Sequence, residues 1–251
     1  MKIILILMLL ITGDLQAQTN FKLIEQQILA SHSVLKKAYL EQNPERQRIF
    51  SAKIKDQLMF ALLQEGSYYY PFLSIQKYVK VVESPDKRIR VFSWDVLDLS
   101  NARNACSLVQ YRGVQNESYF HVLSDGNSDK NQSTEKDNNV FVKAIHVLNN
   151  PSGIRYYLLI GNGKDTKDQE QINLRIFYFG HNQLLECTDC FEGNSPNWTM
   201  QGSTQFPVDL KYDSRRKKLY YYQPTYDLKT GQRKKGFHYQ MYWKDGVFKA
   251  Y

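Results

Sequence analysis

The chain has 251 residues, 42% of them hydrophobic and 14% aromatic, and a formal net charge of +8 at neutral pH. That composition excludes a disordered tail, and three cysteines in so long a chain exclude a disulfide-stapled miniprotein. A basic balance of this kind favours acidic partners over basic ones, but it says nothing about fold.

The chain begins MKIILILMLLITGDLQAQ. Lys2 is a short positive region, Ile3 to Ile11 is an unbroken apolar run, and Leu15-Gln16-Ala17 precedes a polar segment. This layout predicts a secretory signal peptide over 1–17, cleaved after Ala17 and too short to span a bilayer. No cysteine follows the apolar run, so no lipoprotein anchor is expected, and the mature chain contains no further apolar stretch of transmembrane length. An exported protein, periplasmic or extracellular, is the expectation.

Residues 18–70 predict a helical hairpin. Phe21, Ile24, Ile28, Leu35 and Tyr39 recur at helical spacing. Asn43-Pro44-Glu45 then reads as an N-cap, a first-turn proline and an acid at the positive end of the dipole. A second helix follows to about Glu65, with Phe50, Ile54, Leu58, Ala61 and Leu62 on one face and Gly66 as its stop.

Residues 71–251 change texture to short alternating runs rich in Val, Ile, Tyr and Phe. Strands are predicted at 76–82, 88–94, 107–111, 118–123, 140–148, 154–160, 173–179, 184–187, 206–212, 218–223, 237–243 and 247–251. Tight connections such as Ser84-Pro85-Asp86-Lys87, Pro151-Ser152-Gly153, Gly180-His181-Asn182 and Lys244-Asp245-Gly246 join antiparallel neighbours. The fold class is therefore α+β, a helical hairpin packed on a mostly antiparallel, Tyr-rich body built as a sandwich or curled sheet.

Within that body SPDKRIRVFSWD looks like a piece of a WD-repeat blade, but the pattern occurs once and such folds need it repeated. Ile89, Val91 and Ser93 alternate with Arg88, Arg90, Phe92 and Trp94, so one face mixes cations with large rings, as Arg stems packed over aromatics do. In its order of signal peptide, helical stretch, this strand and many Tyr-rich hairpins, the chain resembles exported proteins of Gram-negative bacteria with no established activity. The resemblance implies an exported, partly β architecture and brings no active site with it.

Charge is uneven. Residues 18–66 carry 7 basic and 5 acidic groups, 67–208 carry 14 and 15, and 209–251 carry 11 and 4. The excess sits in the last hairpins. Arg215, Arg216, Lys217 and Lys218 form one cluster at a turn, and Arg233, Lys234 and Lys235 form another in the next turn. With the pair drawn as one long hairpin, the two clusters make a stripe, and Tyr220, Tyr222, Tyr239 and Trp243 between them share one face. Rings can stack on sugars or bases while cations hold phosphate, sulfate or carboxylate. The bland alternative is a tyrosine-rich strand with lysines that protect its edge. The partners this predicts are an acidic glycan, an anionic envelope surface or a protein.

Other motifs are weaker. Cys187-Thr188-Asp189-Cys190 predicts a local disulfide, with Cys106 bonding one of the two as the alternative; a zinc site would need His181 and Cys106 as well. Asp125-Gly126-Asn127-Ser128-Asp129-Lys130-Asn131 starts like a calcium loop but has Lys130 and Lys136 where Gly and Glu are required. Gly161-Asn162-Gly163-Lys164 lacks a third glycine, and Lys164 to Glu170 reads as a charged hairpin loop. No cofactor or metal is called for, and no nucleophile motif is present. His121 and His146, brought together beside Asp95 or Asp98, would make an acid–base site. A binding module is therefore the leading expectation, with a hydrolase or a protein–protein adaptor as alternatives.

Overall fold

Asn43 ends one helix and starts the next. Its side-chain oxygen accepts from the Arg46 amide at 3.0 Å, while its own N–H donates to the Ala38 carbonyl at 2.9 Å. This hinge joins α1 (Lys2–Leu40) to α2 (Pro44–Leu63). The computed structural model describes residues 2–96, 105–113, 117–125, 140–166, 169–193, 195–203, 208–227, 229–230 and 232–250, with side chains from residue 20 onward. The first helix is continuous from Lys2, so the segment read as a leader and the first arm of the hairpin share one helix. Phe21, Ile24, Ile28 and Leu35 are buried as the spacing predicts, but Tyr39 faces outward and Ala38 takes its place inside. Alanine at that crossing lets the two helices approach, and Gln47 donates across the gap to the Ala38 carbonyl at 3.2 Å.

Thirteen described strands follow, and all pair antiparallel. The first sheet has β1 (Lys80–Glu83), β2 (Ile89–Asp95), β3 (Ala105–Arg112) and β4 (Ser118–Asp125) in order. The second has β5 (Phe141–Asn149), β6 (Arg155–Thr166), β7 (Gln169–Gly180) and β8 (Gln183–Glu186), with β9 (Asn197–Ser203) also paired to β7. The third has β10 (Asp209–Asp213), β11 (Lys218–Tyr226), β12 (Arg233–Lys244) and β13 (Val247–Ala250). The fold is therefore α+β as expected, a helical hairpin with an antiparallel, Tyr-rich body, and that body is divided among three packed sheets.

Alternation sets the layers. On β2, Phe92 and Trp94 face the helices together with Cys106 and Leu108 of β3, while Ile89 and Val91 face the second sheet with Val109. On β6 and β7, Tyr157, Leu159 and Phe177 face the first sheet, while Leu158, Leu174 and Ile176 face the third. A strand buried on both faces reads as a continuous apolar run, which is why YYLLI and INLRIFYF show so little polar alternation. Each such side chain fully buried is worth about 1.5–3 kcal/mol. Gly161 lies where β5 comes closest: a Cβ there would sit 2.2 Å from a Val140 methyl.

Several strands outrun their predicted bounds. The run from Lys164 to Glu170 is not a long loop; Lys164 pairs with Glu170 and Thr166 with Gln169, so β6 and β7 extend into it. β9 had no predicted counterpart, because Asn197–Ser203 has a strand's length but a mixed composition, and pairing to the exposed end of β7 supplies what propensity does not. The residues of the calcium-like segment from 126 to 139 lie outside those described.

The helices are fastened to the first sheet through a buried guanidinium. Arg90 is 2% exposed. It donates to Gln110 Oε1 at 2.7 Å, to the Tyr70 carbonyl at 2.8 Å and to the Ser67 carbonyl at 2.5 Å, and it lies over the rings of Phe92, Tyr68 and Phe72. Gln110 in turn donates to the Leu62 carbonyl, Ser67 Oγ and Ser118 Oγ. Burial draws the Arg90 pKa down to about 10, which leaves the charge intact at neutral pH. The mixed face of cations and rings predicted for this strand holds for Arg90, Phe92 and Trp94, with the Arg90 charge itself buried and not only its stem, whereas Arg88, at the turn before the strand, lies over Phe179 of the second sheet. Arg90→Met should cost about 3 kcal/mol in urea unfolding, because carbonyls satisfied by a charged donor are left unpaired. A midpoint within experimental error of the parent would show that the carbonyls find other partners.

Candidate functional site

The meanders put their tight turns at one end of the stack. The β1–β2 turn spans 84–88, the β5–β6 turn 150–154, the β7–β8 turn His181-Asn182, the β10–β11 turn 214–217, and the β12–β13 turn Asp245-Gly246. Lys87, His181, Asn182, Lys217 and Asp245 have positive φ between 49° and 67°. Two consecutive residues with φ above zero, as at His181-Asn182 and Asp245-Gly246, match the twist of the strands they join. Gly153 and Gly246, at φ 81° and 87°, take the positions where a side chain would be strained.

Contacts between turns bring the sheets' cations together. The Arg155 guanidinium donates to Asp86 at 2.8 Å, linking the second sheet to the first. Lys217 Nζ donates to the Asn149 carbonyl at 3.3 Å, linking the third sheet to the second. Lys87, Arg88, Arg155, Arg215, Arg216 and Lys217 therefore belong to one end of the molecule, against Asp86, Asp213 and Asp245. Asp213 serves its own turn, accepting from the Arg215 and Arg216 amides at 3.0 Å each, and these N–H groups hold its carboxyl below the usual aspartate range.

Of the predicted site residues, Arg215, Arg216 and Lys217 are exposed in this turn and Lys218 opens β11. Tyr220 and Tyr222 project from the outer face of the third sheet, which no further described layer covers. Register places His238 beside Tyr222, Gln240 beside Tyr220 and Tyr242 beside Lys218, with Lys211 and Lys249 on the flanking strands. Tyr222 and His238 have ring centroids 5.4 Å apart, and Lys218 Nζ donates to Gln240 at 3.2 Å.

Tyr239 and Trp243 do not share that face. Tyr239 stacks on Tyr221 at 5.4 Å, and Trp243, 6% exposed, packs against Tyr156 and Phe248 on the inner side. The sequence carried part of the signal for this: Tyr239, Met241 and Trp243 alternate with His238, Gln240 and Tyr242, and of the first set Met241 and Trp243 are buried while Tyr239, toward the far end of the hairpin, stays exposed. Arg233, Lys234 and Lys235 begin β12, and Arg233 pairs with Tyr226 while Tyr242 pairs with Lys218. The two clusters therefore lie at opposite ends of one hairpin, about 26 Å apart at 3.3 Å per residue.

The acid–base pairing of His121 with His146 is overturned. His121, exposed on β4 at the edge of the first sheet, has its ring 6.0 Å from that of Phe177 on the side facing the second sheet, beside the Arg175–Glu186 ion pair. His146 lies against Tyr212, between the second and third. Sheet two stands between them, and burial lowers the pKa of both. Asp98 is outside the described residues. The two cavities described, of about 420 and 310 Å³, are lined by neither a histidine nor a carboxylate.

Cys187 and Cys190 form the disulfide expected of them, and Cys106 is a separate thiol buried between the helices and the first sheet. The loop they close has a mechanical role. Phe248 donates to the Cys190 carbonyl at 2.8 Å and accepts from the Glu192 amide at 3.0 Å, so the loop seats β13. Cys187, Asp189 and Cys190 are also close enough to hold a metal ion, but both sulfurs are committed to each other. Comparison with family models, curated proteins and solved structures finds no match for this chain.

Two measurements check this geometry. Thiol labelling of the native protein should modify no cysteine, labelling after unfolding without reductant one, and after reduction three. Asp86 gives a pH dependence: burial pushes its carboxyl up, but hydrogen bonds from Ser84, Tyr157 and Arg155 outweigh that and hold it below the ordinary 3.8. A depressed folded pKa means stability that is complete above 3.8 and lost as pH falls through the lower value. Asp86→Asn should therefore lower stability at pH 7 and flatten its acid dependence below pH 4. An unchanged slope would show that the turn does not depend on this charge.

Proposed function

We propose that this chain is an exported, non-catalytic binding module that holds an acidic polymer, a glycan or an anionic envelope surface, through its basic turn end and the adjoining outer face of the third sheet. The observation that carries the reading is the Lys217–Asn149 contact, since it joins the cations of the third sheet to those of the second in one surface. Beside that surface Tyr220, Tyr222 and His238 offer rings, and Lys211, Lys218 and Lys249 flank them. A long flexible polyanion is matched better by this than by a deep pocket, because each cation near an anionic surface adds about 1 kcal/mol and salt screens it.

The hydrolase reading loses its support with the separation of His121 from His146. Export rests on the leader-like segment at 1–17 and agrees with the Cys187–Cys190 disulfide. No described helix is long and apolar enough to cross a membrane.

The test compares the parent with an Arg215, Arg216, Lys217, Lys218 to Ser variant for retention on heparin, polygalacturonate and anionic vesicles over a salt series. The expected result is retention that falls with salt and at least a tenfold loss in the variant, both proteins having the same circular dichroism spectrum. Equal retention of the two would remove the turn from the binding surface.

A further inference from the structure

The cavity of about 310 Å³ at the turn end is lined by Arg88, Gly153, Ile154, Arg155 and Phe179. It lies between the first and second sheets, on the side of the β5–β6 turn away from the basic turn of the third sheet. Its floor is Phe179, whose ring is held edge to face by Tyr111 and Tyr157 at 5.8 and 5.7 Å. The Arg88 guanidinium carbon stands 4.2 Å from the Phe179 centroid, so this group rests on an apolar surface.

Arg88 and Arg155 differ in what neutralises them. Arg155 bonds to Asp86, whose second oxygen partner is the Tyr157 hydroxyl at 2.9 Å, and Asp86 also accepts from Ser84 and the Arg88 amide. That carboxylate is therefore saturated, one oxygen by its own turn and the other by Arg155 and Tyr157 of the second sheet. Among the described residues Arg88 forms no ion pair, and its guanidinium rests on the ring. Two guanidiniums and one committed carboxylate leave the cavity with a net positive charge. Ile154, 43% exposed, supplies an apolar wall, and Gly153 removes the side chain that would narrow the mouth.

We propose that this cavity binds a small organic carboxylate, with the in-plane N–H edge of Arg88 taking its two oxygens and the organic part lying against Ile154. A stacked guanidinium presents its donors as a rigid fork that matches a planar carboxylate. The volume is at the lower limit for ligand sites, which fits a single sugar or residue with an acid group and excludes a larger ligand. The acid can come from an acidic sugar or from the C-terminus of a peptide, since both present the same group.

The experiment is amide-resolved NMR of the full protein titrated with glucuronate, N-acetylglycine and inorganic phosphate at constant ionic strength, following Gly153 and Ile154. The expected result is saturable shifts with one or both carboxylates. Binding should weaken at least tenfold in Arg88→Gln and also in Arg88→Lys, which keeps the charge and loses the fork. It should persist in the Arg215, Arg216, Lys217, Lys218 to Ser variant, so that this site stands or falls apart from the polymer surface. Saturation by glucuronate alone assigns an acidic sugar, and by N-acetylglycine alone a peptide terminus. The proposal is overturned by absence of saturable shifts, or by phosphate shifting these amides equally and Arg88→Lys binding as well as the parent.

Discussion

A charged guanidinium taken wholly out of water is the constraint on which the joint between helices and sheets depends. Arg90 has to be surrounded by acceptors, and those within reach are carbonyls that a short 3-10 turn after α2 presents, at Ser67 and Tyr70. The turn therefore cannot drift from β2 without stranding the charge, and α2 cannot drift from the turn because Gln110 and Ser67 both bind the Leu62 carbonyl at its end. Orientation comes from this polar knot, while the bulk of the attraction comes from Phe92, Trp94, Leu108 and the buried helix faces. A second buried charge, of the opposite sign, is the carboxylate of Glu25 on α1, which accepts from the Tyr70 hydroxyl and the Ser74 and Ile75 amides, so both helices are tied to the same connecting segment.

The stack then explains where the surface chemistry can be. In three meanders packed face to face, the faces of the middle sheet are spent on packing, and the free surfaces are turns, edges and the outer side of the last sheet. His121 and His146 are directed to opposite faces of the middle sheet and so do not meet. Turns, by contrast, are set side by side by the layering, and residues far apart in sequence such as Asp86 and Arg155 meet there.

Much of this was legible in the sequence where a local rule decides. The Asn43 cap, the helix faces, the tight turns at Ser84–Lys87 and Asp245-Gly246 and the local disulfide each depend on a few neighbouring residues. What the sequence hid is what depends on assembly. Three meanders repeat in the structure with no repeated motif, because any alternating apolar run fills a layer. The facing of Tyr239 and Trp243 depended on hairpin register, which sets Tyr220 opposite Gln240 and Tyr222 opposite His238. The meeting of Arg88 with Phe179 required two sheets to be stacked, and no spacing announces it.

Strand order within each sheet follows the order of the chain, with β9 on β7 as the departure. Most pairings are consequently local, and a sheet needs little beyond its own residues to form, which keeps loop-closure entropy small. The chain can be assembled layer by layer from its N-terminus. β13 is held from outside its own sheet as well, because Phe248 bonds to both Cys190 and Glu192 of the loop that the disulfide closes. A change that frees β13 would therefore loosen the third sheet where it meets that loop, while the Lys217–Asn149 contact would still hold it to the second sheet at the turn end.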